Sequence, residues 1–197
     1  MPLSHCSHWI FDMDGTLTLP VHDFDEIKTQ LGIETNVPIL EAILEMPEDQ
    51  AAVTKRKLHD IEMEIAFDAV AQPGALELLN ILQAQGAQLG ILTRNDEDIA
   101  HATLKACGLS DCFDAPFIIG REICAPKPAP DGVLHLLEMW GAKPQRSVMV
   151  GDFLYDIEAG RRAGVHTVHF DHTGTFAWPE MADHKVNKLA DIAGLIA

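Results

Sequence analysis

The sequence predicts an α/β protein with a doubly wound parallel sheet and a small all-helical insertion after the first strand. Three observations carry this. Short apolar runs ending in polar residues alternate with amphipathic stretches from residue 72 onward. The run His8–Phe11 opens the chain in the same way. Residues 24–70 carry helical periodicity and no convincing strand. Strands alternating with helices imply parallel pairing with helices on both faces.

The elements follow in order. His8-Trp9-Ile10-Phe11 is short, bulky and followed by Asp12 and Gly15, as expected of a buried strand stopping at a tight loop. Ile39, Leu40, Ile43 and Leu44 recur at helix spacing up to Pro47, and Leu58, Ile61, Glu62 and Ile65 form a second stripe. Pro73 suits a first helical position, with Leu76, Leu79 and Leu82 as the buried face and Gly86 as the stop. Strands are then expected at 88–92, 117–119, 147–150 and 165–170, helices at 96–106, 131–140 and 155–163, and a last short helix at 186–196. Glycines 108, 141 and 164 close the three intervening helices. This divides the chain into a core of residues 1–19 and 72–197 and a helical cap of residues 20–71.

Composition narrows the function. The 197 residues are 47% apolar, enough for one packed core, and contain no low-complexity tract. A formal charge of −16 argues against a general nucleic-acid binder or an anionic membrane surface as partner. No apolar run approaches the roughly 20 residues that span a bilayer, and the N-terminus lacks a signal-peptide pattern. A soluble, cytoplasmic protein is expected. Cys6, Cys107, Cys112 and Cys124 form no CxxC pair; Cys107 and Cys112 are close enough in sequence for a disulfide, but reduced thiols are the reading adopted.

The candidate chemistry lies at strand ends, where ligands bind in such sheets. Asp12-Met13-Asp14-Gly15-Thr16 puts two carboxylates two residues apart at the end of the first strand. Left unpaired they repel and lose water; a hard cation such as Mg²⁺ relieves both problems. Gly15 permits a sharp turn in which backbone N–H groups, with Met13 in the same loop, face a bound anion. The alternative is a solvated turn with two surface acids. Thr93, ending the strand in Ile91-Leu92-Thr93-Arg94-Asn95, offers a hydroxyl to a phosphoryl oxygen or simply caps a helix. Lys127, before Pro128 and Pro130, is a point charge for phosphate or carboxylate, or a surface lysine. Asp152, after the strand at 147–150, is a third acidic ligand with Asp156 as support, or an N-cap. Each signal alone is weak; their shared position at strand ends is what joins them.

Together these segments resemble the haloacid dehalogenase superfamily of hydrolases: DMDGT at 12–16, the threonine of ILTRN, the lysine of KPAPD and GDFLYD at 151–156. The resemblance covers about residues 8–170 and implies a Rossmann-like core. The helical insertion is similar to the caps of the phosphoglycolate-phosphatase-like branch, though small for it. One departure is Phe153, where many relatives carry serine.

The resemblance implies Asp12 as a nucleophile on phosphorus, and Asp14 as the acid and then the base. Mg²⁺ would be held by Asp12, the Asp14 carbonyl and Asp152. Lys127 and Thr93 would orient the transferring oxygens, with Asp156 behind Lys127 or a metal-bound water. Met13, Gly15, Arg94 and Asn95 are candidate substrate contacts. A small phosphorylated metabolite is the partner implied; oligomeric state is not readable.

Asp14 and Asp152 argue against a dehalogenase, and Asp14 also against a phosphonate hydrolase. A phosphosugar mutase shares the whole core and stays open, as does a non-catalytic binding protein on the same fold. A phosphorylated receiver would not need the insertion. Lys55-Arg56-Lys57 reads as a solvated helix face, and His166, His169 and His172 as structural or exposed.

Overall fold

Trp9, Ile10 and Phe11 alternate between two apolar layers, and this makes His8–Phe11 the central strand β1 of the computed structural model, which describes residues 2–196. Three helices follow: α1 (Phe24–Leu31), α2 (Ile39–Leu44) and α3 (Glu48–Phe67). The alternating part then runs α4 (Ala75–Ala84), β2 (Gln88–Leu92), α5 (Glu97–Ala106), β3 (Ile118–Ile119), α6 (Asp131–Trp140), β4 (Ser147–Gly151), α7 (Leu154–Ala163), β5 (His166–Phe170) and β6 (His184–Val186). A 3₁₀ segment, Leu189–Leu195, closes the described chain.

All six strands are parallel, in the order β3-β2-β1-β4-β5-β6. This is the doubly wound order in which the chain winds one way from β1 and the other way from β4, so the crevice at the carboxyl ends opens between those two strands. Register places Phe11 beside Val150 and Ile91, which levels the ends of β1, β4 and β2. Trp9 and Phe11 pack with Leu78, Leu79 and Leu82 of α4 on one face. Ile10 and Met149 pack with Val133 and Leu136 of α6 and Ala159 of α7 on the other.

The helical insertion has its own core of Ile27, Ile33, Ile43 and Leu58, separate from both sheet layers. The chain leaves and re-enters the sheet region through one narrow neck. Leu19 N–H donates to Val70 at 2.9 Å and Gln72 N–H to Leu17 at 2.8 Å, flanking a Thr18–Ala71 bridge. Lys55, Arg56 and Lys57 are exposed on α3.

The structure corrects several boundaries. The helix expected from Pro73 begins at Ala75, and its buried face is Ala75, Leu78, Leu79 and Leu82, with Leu76 48% exposed. Phe117 falls in a 3₁₀ turn before β3. The helix expected over 186–196 is instead the end of β6 and the 3₁₀ segment; β6 itself was not anticipated. The four cysteines are free. Among the described residues no helix is long and apolar enough to cross a membrane.

Gly160 lets α7 lie close on the sheet: a Cβ there would sit 2.8 Å from Thr167 Cγ2 and 2.9 Å from Met149 Cβ. Neither atom is the free end of a flexible chain. Gly160→Val is therefore expected to destabilise the fold by about 1–3 kcal/mol through overpacking. Gly194→Ala, with nothing within 4 Å, serves as the near-neutral control. Urea midpoints of the two variants check this, and equal midpoints would show that the helix–sheet spacing is not limiting.

Candidate active site

The ends of β1, β2 and β4 supply Asp12, Thr93 and Asp152. Asp12 follows β1, where its N–H donates to Val150 at 2.9 Å and ties it to β4. The chain then turns tightly: the N–H groups of Thr16, Leu17 and Thr18 all converge on the Met13 carbonyl, at 3.2, 2.8 and 3.0 Å. Gly15 sits at φ +81° with Asp152 pressed against it; a Cβ would lie 2.3 Å from Asp152 Oδ2. Only glycine satisfies both the left-handed backbone and the close approach. Met13 is fully buried in the core, so its side chain is unavailable to a ligand and any contact there is through the backbone.

Lys127 is the cation at the centre. It is 3% exposed, and its Nζ donates to Asp12 Oδ1 and lies 2.7 Å from Asp156 Oδ1. Burial opposes its charge, but Asp12 and Asp156 outweigh burial and push the lysine above its usual range. Asp156, in the first turn of α7, also accepts the Phe153 N–H at 3.0 Å, so both of its oxygens are engaged. Asp152 accepts from Thr16 Oγ1 at 3.4 Å and keeps lone-pair capacity on both oxygens. Thr16 reaches Asp12 as well, at 3.3 Å.

Asp14 is placed differently. Its Oδ2 accepts from Asn95 Nδ2 at 2.8 Å, and His22 Nδ1 stands 3.8 Å from Oδ1. Burial and the neighbouring Asp12 charge push its carboxyl up to about 7. Thr93, 2% exposed, accepts the Asn95 N–H at 3.1 Å on its hydroxyl, which leaves the hydroxyl proton for an acceptor in the cavity.

The residues singled out from the sequence at positions 12, 14, 93, 127, 152 and 156 all line one cavity of about 410 Å³ between the sheet edge and the helices of the insertion. Asn95 also lines it but serves Asp14. Arg94 lines it already paired: Nη2 donates to both oxygens of Glu41 on α2 at 2.9 Å, Nη1 donates to the Lys127 carbonyl, and the guanidinium lies 5.1 Å over the Tyr155 ring. Phe153 is 48% exposed and packs edge-on against Tyr155 and Trp178, each 5.0 Å between centroids.

Two participants went unnoticed in the sequence. Arg121, just past β3, donates to Asp96 at 2.8 and 2.5 Å and to Glu62 Oε1 of α3 at 3.0 Å, joining the insertion to the core. It occupies a strand end like the others, and that position was the available signal. His22, beside Asp14, carries no local signal; the fold alone brings it in. Of the histidines read as structural, His169 is buried and packs against Phe176 and Trp178.

The donor set can be tested against a cation. Asp12 and Asp156 share one lysine, and Asp14 and Asp152 add two more carboxyls close enough to feel the Asp12 charge. Asp12, Asp152 and Asp156 each bring one carboxylate oxygen within 4.8 Å of the others. Burial, followed by the charges of Asp12 and Asp156, pushes Asp152 up to about 8, so negative charge there is under-compensated. An oxygen-only site with surplus negative charge fits a hard divalent cation.

Known proteins share this arrangement of sequence and fold. The model of haloacid dehalogenase-like hydrolases matches residues 35–164. An uncharacterized hydrolase of Saccharomyces cerevisiae is 30% identical over 98% of this chain and 92% of its own length. A phosphoglycolate phosphatase of Aquifex aeolicus is 29% identical over 80% of this chain and 81% of its own. The crystal structure of a hydrolase from Pseudomonas syringae superposes with a TM-score of 0.77 at 25% identity, covering 95% of this chain and 96% of that one. A family match over most of the chain, and a relative aligned along nearly all of it, establish that the chain belongs to the haloacid dehalogenase-like hydrolases.

Proposed function

We propose that this enzyme is a Mg²⁺-dependent phosphatase that hydrolyses a small phosphomonoester through a phosphorylated Asp12. The observation that carries the reading is the meeting of Asp12 and Asp152 at the sheet's switch point, with Lys127 between Asp12 and Asp156 and a protonatable Asp14 alongside. Asp12, the Asp14 backbone carbonyl and Asp152 would hold the ion, which supplies charge neutralisation for phosphoryl oxygens when bound.

The chain's own residues account for the steps. Lys127 neutralises and orients a phosphoryl oxygen, and the Thr93 hydroxyl donates to another. The loop backbone at Met13 and Gly15 faces the same group. An Asp12 oxygen attacks phosphorus; the bond to the ester oxygen breaks, and Asp14 gives its proton to the leaving alcohol. Asp14, now a carboxylate, takes a proton from water as that water attacks the aspartyl-phosphate, which frees inorganic phosphate and restores Asp12. Asn95 holds the Asp14 carboxyl in place. Asp156 holds Lys127. Residues 20–71 act as the cap over the cavity.

With Mg²⁺ present, phosphate release from a panel of phosphomonoesters is expected, and chelation should abolish it. Asp12→Asn should lower kcat by about a thousandfold or more while circular dichroism stays native. Near-normal turnover in that variant would remove the mechanism. Solvent ¹⁸O should enter the released phosphate; return of the phosphoryl group to a sugar without ¹⁸O would mean a mutase.

Asp14→Asn is expected to lower kcat for alkyl phosphates by about 10²–10⁴-fold. Nitrophenolate leaves without needing a proton. With 4-nitrophenyl phosphate the variant should therefore show a first-turnover burst followed by slow release, because the second step still lacks its base. Equal loss in both phases would place Asp14 outside proton transfer.

A further inference from the structure

Resting on the phosphatase reading above, the charge state of the cavity's far side bears on which alcohol leaves. Among the described residues, three cations besides Lys127 line the cavity: Arg94, Arg121 and Lys28. Each already has a partner. Arg94 is clamped by both oxygens of Glu41 at 2.9 Å. Arg121 is held between Asp96 and Glu62, at 2.5 and 2.9 Å, with its side chain 12% exposed. Lys28 Nζ donates to the Thr35 carbonyl at 2.6 Å and lies 3.9 Å from Asp25. Apart from Asn36 and from His22 beside Asp14, the rest of this side is mostly apolar or aromatic: Phe24, Val37, Leu40 and Leu58 from the insertion, Phe153 and Tyr155 from the core.

An anionic leaving group finds both guanidiniums already held by carboxylates, and Lys28 turned to a backbone carbonyl. To reach Arg94 it would have to displace Glu41, leaving a carboxylate beside a like charge. A cationic group gains nothing either, since Glu41, Glu62 and Asp96 are themselves paired. The volume of about 410 Å³ falls in the range of ordinary small-molecule sites and exceeds what a two-carbon acid needs.

We propose that the leaving group is an uncharged alcohol of ring size with an apolar face, as in a sugar or nucleoside, and that Glu41 is the specificity-determining residue that withholds Arg94 from anionic competitors. This sets the chain apart from what the name of its Aquifex relative describes.

The test is Mg²⁺-dependent kcat/KM of the full chain for hexose monophosphates, nucleoside 5′-monophosphates and phenyl phosphate against 2-phosphoglycolate and pyrophosphate. The best neutral-alcohol ester should exceed both anionic substrates by about tenfold or more, the factor one lost charge contact readily supplies. Glu41→Gln should then raise kcat/KM for 2-phosphoglycolate relative to phenyl phosphate by about tenfold, chiefly through KM. Wild-type preference for 2-phosphoglycolate or pyrophosphate overturns the inference while leaving the phosphatase reading intact. So does an unchanged ratio in a folded Glu41→Gln. Release from none of the esters overturns the phosphatase reading and this inference with it.

Discussion

A single buried ammonium, that of Lys127, is the constraint on which the rest of the site depends. Taking a lysine and two carboxylates out of water costs several kcal/mol per ion, and close pairing is what repays it. Lys127 achieves this by reaching two elements at once, the end of β1 through Asp12 and the first turn of α7 through Asp156. Its own loop is fixed by the Arg94 side chain on its carbonyl. Once the lysine is satisfied, the acids of the cluster still outnumber it, and Asp152 carries the imbalance. A site built this way is stable as an ion-pair cluster yet retains attraction for more positive charge.

The sheet makes that cluster possible by geometry alone. Because winding reverses between β1 and β4, no helix crosses the crevice above their carboxyl ends, and side chains from both strands can meet there. The insertion closes the space from above with a different kind of contact. Its apolar core is private, whereas polar contacts tie it to the core around the cavity: the ion pairs Glu62–Arg121 and Glu41–Arg94, and His59 hydrogen-bonded with Asp96 at 3.3 Å. Polar interfaces of this kind permit relative movement more readily than an apolar seam does. Burial pushes Glu62 up to about 7 despite Arg121. Its charge is thus expensive where it sits and tolerable only with the arginine in place.

How far the sequence disclosed this varies with the range of the forces involved. The strands β1, β2 and β4 were legible because each is a short apolar run stopped by a polar residue, and that residue lines the cavity. The strand β6 was not, since His184-Lys185-Val186 has no apolar pattern and exists through pairing with β5. The misread face of α4 had its answer in the letters: Leu76 would align with Asn80 and Gln83, whereas Ala75, Leu78, Leu79 and Leu82 form an unbroken stripe. Arg94 shows a harder limit. Its identity and its strand-end position suggested an anion, but its partner proved to be Glu41, 53 residues away, a pairing that no local pattern encodes.

The two carboxyls of the DMDGT segment show how placement divides roles between like residues. Asp12 faces the Lys127 ammonium and Thr16. Asp14, two residues on, faces an amide and a histidine ring, beyond reach of that lysine's hydrogen bonds, and its carboxyl rises to about 7. Met13 between them is buried in the core, and the two acids on either side of it reach different neighbours, Asp12 the Lys127 ammonium and Asp14 the Asn95 amide beyond β2. Neighbours drawn from different strands thus give two acids so close in sequence different environments, one paired with a buried cation and the other with a neutral amide.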